Sequence, residues 1–158
     1  MKILIICLIY CVILTLIMFI QRRNKIFFLF LYPPEIKKTA YSLKLVTDLK
    51  RIDLYGIIYN LLIALIYIFS TFLYLKIIAK TDDFIIFFIQ SYIIWTVCTL
   101  YKLIISCLWF CNDKRFIIKG TEDLNMIYKS KSYHFLKFIR STAFGVIISL
   151  LCASVSTL

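Results

Sequence analysis

Glu122, Asp123 and His134 are the one grouped set of proton-transferring side chains in this chain. A histidine with two carboxylates can move a proton onto or off a substrate. The same two acids, placed after Thr121, also fit the start of a helix. There a threonine caps free N–H groups and negative charge is favoured. Cys107 and Cys111 stand at i and i+4, on one helix face, and with His134 would make three metal ligands. A structural zinc site wants four ligands in a tighter pattern, and no C-x-x-C is present. The expectation is therefore no metal and no cofactor. Lys102 interrupts one apolar run and Asn60 lies in another. A charge within a membrane is by default a candidate for a pathway, and it finds a partner there. A lysine near the boundary instead snorkels its ammonium to water. Antiparallel placement brings Asn60 and Lys102 to similar depth, so a contact of Lys102 with Asn60 or Asp53 is an open expectation. G-x-S-x-G, Walker A, G-x-G-x-x-G and H-E-x-x-H patterns are all missing. The sequence leans away from an enzyme.

The elements that must position these residues are apolar helices. The chain has 158 residues, is 63% hydrophobic and has a mean hydropathy of +0.93. Soluble domains are only about 45–50% apolar. An excess gathered into unbroken runs means that lipid is the solvent. Long continuous runs exclude a β-barrel, which needs short alternating strands and many turns. The reading is one all-α domain over residues 1–158, with four transmembrane helices at about 3–20, 54–75, 84–104 and 141–158. Residues 3–20 carry no charge and would extend about 27 Å as a helix. Positive charge lies mainly behind this run, and no small-residue cleavage pattern follows it, so it reads as an uncleaved span.

Of nineteen cationic residues, eight fall in residues 21–53 and seven in residues 112–140. Basic connections stay on the cytoplasmic side, which puts both termini outside. The net charge of +11 is then topogenic, with attraction to anionic lipid headgroups, and no module for nucleic acid is recognisable. Within the first connection, residues 26–32 are apolar but too short to span, and Pro33-Pro34 ends them. Glu35 to Asp53 is expected as one surface-lying helix, with Lys37, Lys44 and Arg51 recurring every seven residues. In the second connection Phe116, Ile117 and Ile118 are expected to be extended, Gly120 to turn, and Thr121 to cap a short helix reaching about Ser130. A last helix is expected from Tyr133. In it Ser141, Gly145, Ser149, Ala153 and Thr157 lie four apart, a small-residue series that admits a close neighbour. Within this fold that neighbour is expected to be intramolecular.

Two stretches carry a likeness. The first is Tyr32-Pro33-Pro34-Glu35-Ile36. The second is Gly120-Thr121-Glu122-Asp123, followed by Tyr128-Lys129 and His134-Phe135. Together they resemble a group of small multi-spanning bacterial membrane proteins with Y-P-P-x-I and G-T-E-D…Y-K…H-F motifs. The resemblance implies fold and membrane location, and no reaction. In that group acidic residues precede the second motif, whereas here residues 101–106 contain none. The Ile-, Lys-, Phe- and Tyr-rich composition also suggests an AT-rich bacterial genome. The expected role is a non-catalytic accessory or partner-docking component of an assembly in the bacterial cytoplasmic membrane. The alternatives are a small transporter or channel using Lys102 and Asn60, and a membrane enzyme using Glu122, Asp123 and His134.

Overall fold

The structure, a computed structural model, describes residues 2–80, 83–109 and 113–156. Cys111 and Thr157 lie outside the described residues. The protein is an all-α polytopic membrane protein, and no strand forms among the described residues. Four helices are long and apolar enough to cross a membrane. They are α1 (Lys2–Arg23), α3 (Leu49–Leu73), α4 (Phe84–Trp109) and α6 (Lys131–Ser156), with α2 (Pro34–Ser42) and α5 (Asn125–Tyr128) in the long connections. In lipid each backbone polar group must be satisfied within its own segment, so apolar runs of this length become helices. The last turns of the second span widen into a π-helix over Tyr74–Ala79, and Lys80 stops it in the left-handed region at φ 54°.

Four successive crossings place the short turn between α3 and α4 at the same end as Lys2 and Ser156. Both long connections lie at the other end, called here the cap. The most extensive packing is between α4 and α6, and α1 rests on α4 while α3 rests on α6. The buried side chains form two separate clusters. One lies inside the bundle around Tyr67, Phe87, Trp95 and Cys152. The other joins the ends of the helices to the connections around Tyr32, Ile36, Phe116 and Tyr128.

Three local expectations are corrected. Residues 35–53 do not make one helix. α2 stops at Ser42, Lys44 turns left-handed at φ 56°, and Asp48 starts α3. The Asp48 carboxylate accepts from the N–H groups of Lys50 at 2.8 Å and Arg51 at 3.3 Å, so the cap chemistry sets the break. Lys37, Lys44 and Arg51 therefore share no helix face, and α3 begins at Leu49, ahead of the expected residue 54. Phe116 closes a 3-10 turn over Lys114–Phe116, because the Asp113 side chain accepts from Arg115 N–H; Ile117 is extended. Thr121 precedes the 3-10 turn Glu122–Leu124, but its hydroxyl does not cap it. The hydroxyl is engaged instead by the Ile118 carbonyl and the Tyr128 hydroxyl.

Candidate functional site

The cap is built by two connections that the sequence separates by a whole hairpin of spans. Pro34 opens α2, where a missing N–H costs nothing. Ile36 and Ala40, four apart, turn inward and are fully covered. Tyr32 precedes them, 1% exposed, and its hydroxyl donates to the Phe116 carbonyl at 3.0 Å. The Tyr32 ring meets the Tyr128 ring edge-on at 5.9 Å. Tyr128 in turn organises the second connection. Ile118 N–H donates to its hydroxyl at 3.1 Å. The Thr121 hydroxyl donates to the Ile118 carbonyl at 2.8 Å, which leaves Tyr128 as the donor in its 2.7 Å bond to Thr121. The ring of bonds is closed, and both backbone groups of Ile118 are satisfied without secondary structure.

Gly120, Glu122 and Asp123 are exposed beside this network, with Thr121 buried between them. Gly120 sits at φ +89°, and a Cβ there would stand 2.9 Å from Leu43 Cδ1. Glycine is thus required both by conformation and by the close approach of the first connection. The Glu122 carboxylate folds back and accepts from Gly120 N–H at 2.8 Å. Backbone N–H groups, its own first and then that of Gly120, hold the Glu122 carboxyl below the usual carboxylate range. Burial pushes the Tyr32 phenol well up, with Tyr128 adding to it, and burial likewise raises Tyr128.

The three acid–base candidates are held by different partners. Glu122 belongs to Gly120, Asp123 is exposed, and His134 packs edge-on against the Tyr133 ring at 5.5 Å. Among the described residues no three His, Cys, Asp or Glu side chains gather as metal ligands. Pro33 is buried beneath the cap, and Glu35 is exposed in the first turn of α2.

Lys102 and Asn60 do not meet in a shared site. Asn60 is exposed on α3, and Lys102 is half-buried on α4 without a hydrogen bond or ion pair among the described residues. Asp53, the other expected partner of Lys102, is taken by Lys37 at 2.6 Å. The short span from α2 to the start of α3 explains this, since it delivers Lys37 to Asp53 directly. Sequence reasoning gave no role to Lys137, which donates to the Leu31 carbonyl at 3.3 Å and stands 5.9 Å from the Tyr133 ring centre.

The small-residue series on α6 faces α4. Gly145, Ser149 and Ala153 are buried, and the Trp95 indole lies over Gly145 and donates to the Ser141 carbonyl at 2.8 Å. A Cβ on Gly145 would overlap the ring, with Nε1 only 2.5 Å away. Trp95 was missed as a functional anchor in the sequence. Its signal was a lone indole N–H inside an apolar span, which must find an acceptor.

Two open grooves flank the end of α1. One, of about 510 Å³, is lined by Phe19, Arg22, Arg23, Lys25 and Arg115. The second, of about 560 Å³, shares Arg23 and Lys25 and continues over Phe27 to Lys119. No family model, curated protein or solved structure matches this chain.

Proposed function

We propose that this protein is a non-catalytic accessory component of a bacterial cytoplasmic membrane assembly, which docks a membrane-protein partner through its cap. In this reading the cap is cytoplasmic and both termini are outside, because the cations are concentrated in the two connections. A reporter fused after Leu158 that reads cytoplasmic overturns that orientation. The observation that carries the role is the closed Ile118–Tyr128–Thr121 network, which buries Thr121 and holds the exposed Gly120, Glu122 and Asp123 beside it. A preformed loop binds without the entropy cost of ordering. The residues of the Y-P-P-x-I and G-T-E-D…Y-K motifs meet in this same unit, which fits a shared docking role for them.

The test is gentle-detergent purification of the tagged protein from its native membrane, with mass spectrometry of what accompanies it. The expected result is one partner near stoichiometric yield, lost in a Gly120→Ala/Glu122→Ala variant that still inserts. A clean protein without a partner sinks the reading. The transporter alternative has weaker support, since neither groove is lined by Lys102 or Asn60. Lys102→Leu is expected to leave expression and partner recovery unchanged. The enzyme alternative is weakened by the separate engagement of Glu122 and His134, and full function with His134→Ala would remove it.

A further inference from the structure

The two grooves at the end of α1 have a chemistry that partner docking does not use. Arg22 and Arg23 end α1, Lys25 follows in the turn, and Arg115 arrives from the second connection. Asp113 pairs with two of these cations, and Glu122 lies within electrostatic reach of Lys25. Asp113 holds Arg115 at 2.9 Å and reaches Arg22 at 3.7 Å, so it orients two guanidinium groups and leaves most of the positive charge uncompensated. Lys25 is fixed by its bond to the Ile117 carbonyl at 2.7 Å. Guanidinium groups match phosphate geometry with paired donors. The second groove adds Lys119 across the shared wall of Arg23 and Lys25.

The floor beside these cations is apolar and exposed. Phe19 and Ile20 are half-exposed on the outward face of α1, and Phe27 is 71% exposed in the turn below. Phosphate binding alone calls for no such surface. An amphiphile does: its phosphates sit on the cations while its chains run along α1. Two adjoining cationic grooves with a common wall further match a headgroup carrying two phosphates.

We infer that the grooves at the end of α1 form a binding site for a dianionic phospholipid, with one phosphate in each groove and the shared Arg23 and Lys25 between them. The site adjoins the docking loop, since Ile118 and Lys119 line the second groove, but residues 120–123 line neither groove.

The test reconstitutes the full chain in phosphatidylcholine vesicles carrying either cardiolipin or phosphatidylglycerol, matched in total headgroup charge. After mild extraction, native mass spectrometry counts the lipids retained on each chain. One cardiolipin per chain, with far less phosphatidylglycerol, is the expected result. Each cation near a membrane surface contributes such that Arg23→Gln/Arg115→Gln lowers retention by roughly thirty-fold. Lys38→Gln/Lys50→Gln, which removes two exposed cations of the first connection, is expected to retain cardiolipin as the natural chain does. If the double variant does not elute as a single species, Arg23→Gln alone is measured; Arg23 has no ion pair among the described residues. Equal retention of both lipids at matched charge overturns the two-phosphate site. An equal loss in the Lys38/Lys50 control reduces it to diffuse attraction and overturns it as well. Complete displacement of cardiolipin by soluble pyrophosphate would move the assignment from a lipid to a free phosphate ligand.

Discussion

The bundle core and the cap core use the same tool for different purposes. In each, a tyrosine or tryptophan reaches a main-chain carbonyl on another segment. In the bundle Tyr67 donates to the Ser91 carbonyl at 2.6 Å, Trp95 donates to the Ser141 carbonyl, and the two rings meet edge-on at 4.8 Å. Tyr10 adds α1, lying 2.5 Å from Ser70 Oγ and 3.0 Å from Thr71 Oγ1 on α3. These acceptor segments are already helical, so the bonds tie finished elements together. In the cap the partners are loop groups with no helix to satisfy them, so the aromatic hydroxyls replace secondary structure. The driving forces differ too. Lipid gives helices no hydrophobic reason to associate, and close packing with interhelical hydrogen bonds must hold the bundle. Water outside the cap supplies the ordinary hydrophobic term. Packing faults should therefore harm the bundle most, and lost hydrogen bonds or changed charge should harm the cap.

The largest effect expected is at Gly145. Leucine there must displace the Trp95 indole, and overpacking of this kind costs about 1–3 kcal/mol, more where the neighbour is rigid. Gly145→Leu is expected to lower the yield of monodisperse protein and its thermal midpoint in detergent sharply. Gly145→Ala should do so less. Gly145→Ala combined with Trp95→Phe should recover part of the loss, because the overlapping indole is gone while an aromatic ring remains. If the single and double changes simply add, Trp95 is not the neighbour that matters.

Deleting one hydroxyl compares the two regions directly. Tyr128→Phe leaves Ile118 N–H buried without its acceptor, a cost of about 1–3 kcal/mol. Tyr67→Phe removes a bond to a helical carbonyl, and bonds between membrane helices average about 0.6 kcal/mol. Amide exchange over residues 113–130 should speed up in Tyr128→Phe and not in Tyr67→Phe. Equal effects would mean that the cap network is no more than packing. The same network sets an alkaline limit. The Tyr32 and Tyr128 phenols are raised in the folded state, so their neutral forms are favoured there. Their contribution is fully present below the ordinary tyrosine value of 10.0 and is lost as pH rises from there towards the folded values. Exchange in the cap should accelerate above about pH 10.

These contrasts also show what the sequence could and could not disclose. The four spans were legible because uncharged runs of about twenty residues admit one solution in lipid. The Gly120 turn was legible from its single glycine before a Thr-Glu-Asp run. The break between α2 and α3 was not, because Lys44 carries no left-handed signal and Asp48 resembles any helical acid until its cap bonds are seen. Thr121 had the right identity for an N-cap and was claimed instead by Tyr128, seven residues on. No periodicity announces such a contact. The meeting of Tyr32 with Tyr128, and of Arg22 with Asp113, depends on how two distant connections pack, which is tertiary information.

An N-cap change probes the join between the two regions with a more modest effect. Asp48→Ala removes the acceptor for Lys50 and Arg51 and costs about 1 kcal/mol. Because Asp48 begins the helix that carries Tyr67, fraying is expected to reach the cap through Ile52 and to stop before Ala64. Exchange rates measured along α3 should show a step between those two residues. A uniform increase would make α3 one cooperative rod and erase the distinction between cap and bundle.

The smallest effect belongs to Glu122, whose carboxylate is exposed and screened by solvent. Its folded-state value lies below the ordinary glutamate range, so its stabilising contribution is present above that range. It is lost as pH falls through the range to the depressed folded value. Exchange at Gly120 should therefore rise at acid pH as the carboxylate is protonated. Glu122→Gln keeps a side-chain oxygen for Gly120 N–H but has no charge to lose, so its acid limb should be flat. Trp95 gives the control. The chain has two tryptophans, and in a Trp109→Phe background its fluorescence reports the bundle alone. That signal is expected to stay constant across the acid range in which Gly120 responds. Were it to shift with the same limb, protonation at the cap would be felt inside the bundle, and the two cores would behave as one.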